Sequence, residues 1–256
     1  MSTLPAATGT APGASQTERA ILGLRDAVLR GHYRPGARLA EVDVAAHLGV
    51  SRTPARAALQ RLAAEGLLEN VQPAGYVVRA FSAQDIADAI EVRGTVEGLA
   101  ARLAAERGVP DALLERMRDC LAGIDAVLAG AGAPALALDA RLERYAALNE
   151  RFHALVLEAS GSPIVQDTMA RTVSMPFASP NAFVAAQARR PGAFAILQCA
   201  QMQHHAIVDA IAARAGARVE ALMKEHARIA HRNLEAALQD AGALERVPGG
   251  PLIRRA

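Results

Sequence analysis

Apolar residues recur at helical spacing along most of the chain, and this spacing changes in one short stretch near residue 70. Three helices are predicted in the first part of the chain, at residues 17–30, 41–48 and 52–65. A turn-rich connector over residues 32–40 separates the first two, and residues 67–80 predict two short strands joined by a turn that contains Pro and Gly. Three helices followed by a hairpin predict a winged helix-turn-helix.

A purely helical pattern begins at Ser82, where Asp85 three residues later completes the signature of a helix start. Further helices are predicted at residues 83–107, 110–130, 139–159, 162–175, 193–213 and 217–240. The predicted fold is therefore mainly α, with an N-terminal winged helix-turn-helix domain and a C-terminal all-α helical bundle. The predicted segments are a disordered tail at 1–15, the two domains at 16–80 and 81–240, and a C-terminal tail at 241–256.

The composition agrees with a globular helical protein. Hydrophobic residues make up 52% and charged residues 21% of the chain, aromatic residues only 3%, and alanine is abundant. The net charge of +2 does not by itself indicate a nucleic-acid binder. Residues 15–80 carry nine arginines against six acidic residues, which is a mild local positive bias.

Cysteine usage and the absence of leader-like segments predict a cytoplasmic protein. Cys120 and Cys199 are the only cysteines, too few for a disulfide framework or a zinc cluster, and buried thiols in a reducing compartment explain them. The first residues lack the basic and apolar regions of a signal peptide. No apolar run approaches about 20 residues, so we expect no membrane contact.

Residues 41–66 have the local features of a helix-turn-helix. Gly49 can end the first helix in a left-handed conformation, and Ser51 suits the N-cap of the second. Arg52, Thr53 and Arg56 lie off the apolar stripe of that second helix, where hydroxyl and guanidinium groups can reach phosphates and guanine edges. The alternative is a solvated surface helix that happens to carry arginines. The neighbouring helices and hairpin favour DNA binding.

The string Val50–Leu62, followed by Ala64-Glu65-Gly66-Leu67-Leu68, resembles the signature of the GntR family of regulators. The resemblance implies that Ser51, Arg52, Thr53 and Arg56 contact DNA and that the wing near Gly75 enters the minor groove. The wing of this chain, residues 70–75, lacks the basic residue commonly found there.

The helical part resembles the FCD ligand-binding domain of the FadR-type subgroup of that family. The resemblance is carried by residues 90–97, 145–153 and 203–211, and it extends with the DNA-binding half over roughly residues 17–235. Within the subgroup, the sequence around Tyr145 and the string Met175-Pro176-Phe177-Ala178 are closest to vanillate-responsive repressors.

Histidines on three predicted helices form a candidate metal site. Asn149 and His153 are four residues apart and share a helix face, while His204 and His226 lie on two other helices between apolar positions. Three imidazoles and an oxygen ligand in a helical bundle suit Zn²⁺, Ni²⁺ or Mn²⁺, whereas any one of these histidines alone could serve only in packing. The resemblance implies His153, His204 and His226 as ligands. Asn149 stands where many relatives have Asp.

Other polar residues have competing interpretations. Arg93 is a candidate clamp for the carboxylate of an effector, or an intrahelical ion-pair partner of Glu97. His205 points about 100° away from His204 around the helix and is left out of the ligand set.

These features together predict a ligand-responsive DNA-binding regulator rather than an enzyme. We expect a homodimeric repressor of catabolic genes that binds an inverted-repeat operator in double-stranded DNA and senses a small, possibly aromatic organic acid. A metal-dependent hydrolase using the three-histidine site is the alternative, but no Glu or Asp with helical spacing to these histidines suits a general base. A structural protein that has lost DNA binding is disfavoured by the intact Ser51–Arg56 string.

Overall fold

The computed structural model describes residues 15–71, 75–130, 138–174, 177–184, 193–240, 242, 244 and 247–254. The contacts divide the chain into two compact units, Met1–Ala80 and Phe81–Ala256, which are treated separately below. Most of the predicted disordered tail, residues 1–14, lies outside the described residues.

The first unit has three helices and a small sheet. The helices are α1 (Gln16–Leu29), α2 (Glu41–Leu48) and α3 (Arg52–Ala64), and the strands are β1 (Arg38–Leu39), β2 (Leu68–Asn70) and β3 (Tyr76–Val78). The sheet order is β1-β3-β2, and both pairings are antiparallel. The prediction of a connector over residues 32–40 missed β1, because a strand of two residues has no period to detect. Its Leu39 is buried and pairs with Tyr76.

Helix ends in this unit follow local rules. Ser15 and Glu18 form a capping box at the start of α1. Gly49 ends α2 in the left-handed conformation, at a φ of 63°, as predicted. The core contains Leu24 and Val28 of α1 and Leu59 and Leu62 of α3, all fully buried.

The second unit is built from six helices and a short 3-10 turn within the described residues. They are α4 (Ala83–Arg107), α5 (Asp111–Ala129), α6 (Leu138–Ala159), α7 (Pro163–Ser174), α8 (Ala193–Ala212), α9 (Gly216–Leu238) and the turn Gly250–Leu252. Ser82 and Asp85 form the expected capping box of α4. The predicted mainly α fold with an all-helical second part is confirmed. None of the described helices is long and apolar enough to span a bilayer.

Helices α4 and α9 pack unusually closely because small residues line their contact. A Cβ atom added to Gly94 would lie 2.6 Å from the Cβ atom of Ala227, and one added to Gly98 would lie 3.2 Å from the backbone oxygen of Glu220. This close contact brings the part of α4 that carries Arg93 and Glu97 against the part of α9 that carries His226.

The C-terminal segment is packed where it is described. Phe81 and Ile253 form a parallel bridge, in which the Phe81 N–H donates to the Leu252 oxygen at 2.9 Å. Leu252 and Ile253 are buried. Within the predicted C-terminal tail, residues 247–254 therefore bury apolar side chains, although their Pro- and Gly-rich sequence has no period.

Candidate DNA-binding helix and metal centre

Helix α3 presents its basic residues to solvent. Its apolar stripe, including Ala55, Leu59 and Leu62, is buried, whereas Arg52, Thr53 and Arg56 are exposed. Ser51 occupies the N-cap with an extended backbone, but its side chain makes no capping hydrogen bond within the described residues. The four residues predicted to contact DNA therefore share the open, N-terminal part of one helix.

Glu41, the first residue of α2, contacts two of these residues. Its carboxylate accepts hydrogen bonds from Arg56 Nε at 2.7 Å and Arg56 Nη2 at 3.0 Å, and it lies 3.5 Å from Arg52 Nη2. The hydrogen bond from Arg56 is the main cause that lowers the pKa of Glu41. Sequence reasoning missed this contact, because Glu41 lies on another helix, 15 residues before Arg56.

The wing is described at its two ends. Val71 N–H donates to the Gly75 oxygen at 2.8 Å, while residues 72–74 lie outside the described residues. Gly75 has a φ of 89°, and an added Cβ would lie 3.2 Å from the Leu39 oxygen. Backbone conformation thus requires glycine here, and its contact with DNA stays a prediction.

The second unit brings together the three predicted histidine ligands. His153 of α6, His204 of α8 and His226 of α9 are buried, and one nitrogen atom from each lies within 4.8 Å of the other two. His204 Nε2 and His226 Nε2 are 3.1 Å apart. The three helices converge at this point, as the sequence predicted.

Each imidazole has a polar neighbour at its Nδ1 atom. Gln201 Oε1 lies 3.0 Å from His204 Nδ1, and Gln203 Oε1 lies 3.1 Å from His226 Nδ1. Glu97 Oε1 lies 2.8 Å from His153 Nδ1 as an ion-pair contact, but the two atoms do not form a hydrogen bond. Both ring nitrogens of His153 and both carboxylate oxygens of Glu97 consequently lack a hydrogen-bond partner within the part of the chain that the structure describes.

The electrostatics of the cluster favour neutral imidazoles at His204 and His226 and an ionised carboxylate at Glu97. Burial lowers the pKa of His226 to about 3, and burial also lowers the pKa of His204 well below its usual value. Burial raises the pKa of Glu97, but His153 and Arg93 outweigh that effect and lower it to about 2. Neutral imidazoles offer lone pairs, which metal binding requires.

The donor set fits a divalent metal ion. Three buried imidazoles converge, His153 has an unpartnered Nε2 atom, and a carboxylate oxygen of Glu97 lies 2.8 Å from His153 Nδ1. Sequence reasoning considered Glu97 only as a partner of Arg93. Glu97 lies on the apolar face of α4, and this position in the sequence pattern indicates that it is buried.

Asn149 is held by a second amide. Its Nδ2 donates to Asn181 Oδ1 at 2.9 Å, and Asn181 Nδ2 donates to the Ala146 oxygen at 2.8 Å. This relay fixes which end of the Asn149 amide is nitrogen and leaves Oδ1 on the other side. Ligation by Asn149 stays a prediction.

Arg93 is buried in an ion pair. Its Nε atom lies 3.6 Å from Glu97 Oε2, and its Nη1 donates to the Ala178 oxygen at 3.3 Å. The structure therefore contains the ion pair between Arg93 and Glu97 within α4. Binding of an effector carboxylate by Arg93 stays a prediction. Of the motif that includes Ala178, Met175 and Pro176 lie outside the described residues.

Comparison with known proteins agrees with both resemblances. The family model for bacterial regulatory proteins of the gntR family matches residues 16–78, and the FCD domain model matches residues 88–229. The Nta operon transcriptional regulator of Aminobacter aminovorans is 43% identical over 90 residues, which are 35% of this chain and 42% of that protein. The match therefore spans less than half the length of that relative.

Two further proteins match over more of their length. An uncharacterised HTH-type transcriptional regulator of Agrobacterium vitis is 32% identical over 142 residues, 55% of this chain and 78% of that protein. A crystal structure of a GntR transcriptional regulator from Rhodococcus sp. RHA1 is 25% identical, with a TM-score of 0.55 over 88% of this chain and 99% of that one. This chain belongs to the GntR family of bacterial regulatory proteins and carries an FCD domain after its winged helix-turn-helix.

Proposed function

We propose that the protein is a ligand-responsive, DNA-binding transcriptional repressor. The observation that carries the proposal is the exposed N-terminal part of α3, where Arg52, Thr53 and Arg56 share one open face of a winged helix-turn-helix. A guanidinium can pair with the O6 and N7 atoms of guanine, and hydroxyl groups can hold phosphates. The relatives named above are regulators, which favours this function over a metal-dependent hydrolase.

A homodimer would place two such helices about one helical turn of DNA apart, on an inverted repeat. Family membership supports this arrangement, because the two-fold symmetry of a dimer is mirrored in its operator. The regulated genes are then expected to lie beside the operator and to encode catabolic enzymes.

The sensing part of the proposal is a small organic acid bound at a metal-containing site. His153, His204 and His226 would hold Zn²⁺, Ni²⁺ or Mn²⁺, which would supply a Lewis-acidic position for an effector oxygen. Arg93 and Glu97 are the buried residues of full charge among the described residues of this unit, and they pair with each other. A bound divalent metal ion would therefore add two positive charges that no described buried side chain of this unit compensates. This excess of positive charge favours an anionic effector.

Effector binding can control DNA binding only if the effector binds one state of the dimer more tightly than the other. The proposal therefore predicts reciprocity: operator DNA and effector change each other's affinity by the same factor.

The first experiment selects genomic DNA fragments with the purified protein and footprints the enriched ones. An inverted repeat is expected, and its affinity is then measured for Arg56→Ala and for the control Arg30→Ala. Arg30 is also exposed and paired with an acidic residue, Asp26, but it lies at the end of α1. Loss of one Arg–guanine contact should cost about 1–3 kcal/mol, or roughly 5- to 150-fold in affinity. Equal affinities of the two variants would contradict the proposed DNA-binding face.

The metal site is tested separately by metal analysis of the purified protein. His204→Ala should lose bound metal and the effector response, whereas His231→Ala should keep both, because His231 lies on α9 outside the cluster. Metal retention by His204→Ala would reject the ligand set without affecting the DNA-binding assignment.

A further inference from the structure

A chain of polar contacts leads from the surface of the second unit to the histidine cluster. Asp125 of α5 and His205 of α8 are about half exposed, and His205 Nε2 lies 3.0 Å from Asp125 Oδ2. Asp125 Oδ1 accepts a hydrogen bond from Gln201 Nε2 at 2.8 Å. Gln201 is buried, and its Oε1 lies 3.0 Å from Nδ1 of His204. Neither Asp125 nor Gln201 has a role in the function proposed above.

These contacts determine the orientation of the Gln201 amide. Its Nε2 atom lies 3.0 Å from the Leu121 oxygen and 2.8 Å from Asp125 Oδ1, and both of these atoms can only accept hydrogen bonds. A flipped amide would place its oxygen against two acceptors. The atom that faces His204 Nδ1 must therefore be the oxygen, so His204 Nδ1 carries the proton and donates it.

The tautomer of His204 decides what its other nitrogen can do. With the proton on Nδ1, Nε2 presents a lone pair toward His226 Nε2, 3.1 Å away. With the proton on Nε2, His204 would instead donate a hydrogen bond to His226 Nε2. That bond would occupy two of the three candidate metal-binding nitrogens at once.

We propose that Gln201, held by Asp125 and Leu121, is a positioning residue that places the His204 proton on Nδ1 and thereby makes Nε2 its metal-binding atom. The role of Nε2 as the metal-binding atom rests on the proposed function, whereas the tautomer of His204 is a property of the metal-free protein. Gln203 has the corresponding contact with His226 Nδ1.

The test compares full-length wild-type protein with Gln201→Leu and with the control Gln198→Leu. Gln198 lies on the exposed face of α8, one turn before Gln201. Long-range proton–nitrogen NMR spectra of ¹⁵N-histidine-labelled, metal-free protein report which ring nitrogen of His204 is protonated, with the signal assigned by its loss in His204→Asn. Wild type and Gln198→Leu should carry the proton on Nδ1, and Gln201→Leu should carry it on Nε2.

Metal affinity gives a second readout, by competition between the protein and a chelator for Zn²⁺. Gln201→Leu should bind about 10- to 100-fold more weakly than wild type, as is usual when a residue behind a metal ligand is removed. Asp125→Ala keeps the buried glutamine and loses only a surface contact, so it remains informative if Gln201→Leu does not fold. It should weaken Zn²⁺ binding by a smaller factor, and Gln198→Leu should not change it.

The possible outcomes separately test the tautomer of His204, the metal site and the positioning role of Gln201. A proton on Nε2 in the wild type, or the same tautomer in wild type and Gln201→Leu, overturns the proposal. The expected tautomers without any Zn²⁺ binding by the wild type would support tautomer selection and overturn the metal site of the proposed function. Unchanged Zn²⁺ affinity in both Gln201→Leu and Asp125→Ala would overturn the positioning role.

Discussion

The close contact between α4 and α9 makes Gly94→Ala an informative substitution. The added Cβ would lie 2.6 Å from the Ala227 Cβ, whereas two carbon atoms prefer roughly 3.5–4.0 Å. Both atoms are attached directly to helix backbones, so no side-chain rotation can relieve the overlap. The two helices would have to separate by about 1 Å, at the place where Arg93 and His226 enter the site.

The magnitude follows from two opposing effects. Replacing glycine by alanine within a helix stabilises the folded state by roughly 0.5–1 kcal/mol. Overpacking a close contact costs about 1–3 kcal/mol. We therefore expect Gly94→Ala to lower the free energy of unfolding by up to about 2.5 kcal/mol. In the control Gly123→Ala the added Cβ would lie 3.4 Å from Leu148, an ordinary contact, so stability should stay equal or rise by up to about 1 kcal/mol.

Urea unfolding of the metal-free protein, followed by circular dichroism, measures these changes. Adding Ala227→Gly to Gly94→Ala removes the opposing Cβ atom, and the double variant should be more stable than the sum of the two single changes predicts. The Zn²⁺ affinity of Gly94→Ala should fall as well, because the helix that carries His226 moves. The reasoning is refuted if Gly94→Ala is as stable as Gly123→Ala, or if Ala227→Gly gives no rescue.

Three further predictions concern charge and metal. Glu41→Gln frees Arg56 of its partner, so non-specific DNA binding should tighten and its salt dependence should steepen; unchanged salt titrations would contradict this. The pKa of His226 is lowered to about 3 in the folded state, against about 6.5 in an unfolded chain. The metal-free protein should therefore lose stability as the pH falls from about 6.5 to 3, by up to about 1.4 kcal/mol per pH unit in urea titrations, and His226→Gln should flatten that slope. Zn²⁺ at 100 times its Kd should stabilise the protein by about 2.7 kcal/mol in thermal unfolding, and His153→Ala should abolish the effect.

The long helices could be predicted because each repeats its apolar pattern over several turns. The predicted helix over 83–107 coincides with α4, whose first residues also carry a capping box. The two-residue β1 has no pattern of its own and exists because Tyr76 and Val77 lie opposite it. The packed segment around Leu252 depends likewise on a partner, Phe81, that is distant in sequence.

The candidate DNA-binding and metal sites show the same difference: residues with a local sequence pattern were predicted, and residues that depend on a distant partner were missed. His153, His204 and His226 were identified from their residue type, their helix faces and the family resemblance. Gln201 was within reach as well, because it precedes His204 by three residues and shares its helix face.

Glu41 and Asp125 were not predictable from spacing, because surface acids are common and their partners lie on other helices. Each carboxylate joins two partners: Glu41 contacts Arg52 and Arg56, and Asp125 contacts Gln201 and His205. A carboxylate with two partners constrains both of them relative to each other, and that relation exists only once the helices have packed. We expect residues of this kind to orient the groups that are proposed to bind DNA or metal, although nothing in their own sequence neighbourhood distinguishes them from solvated surface charges.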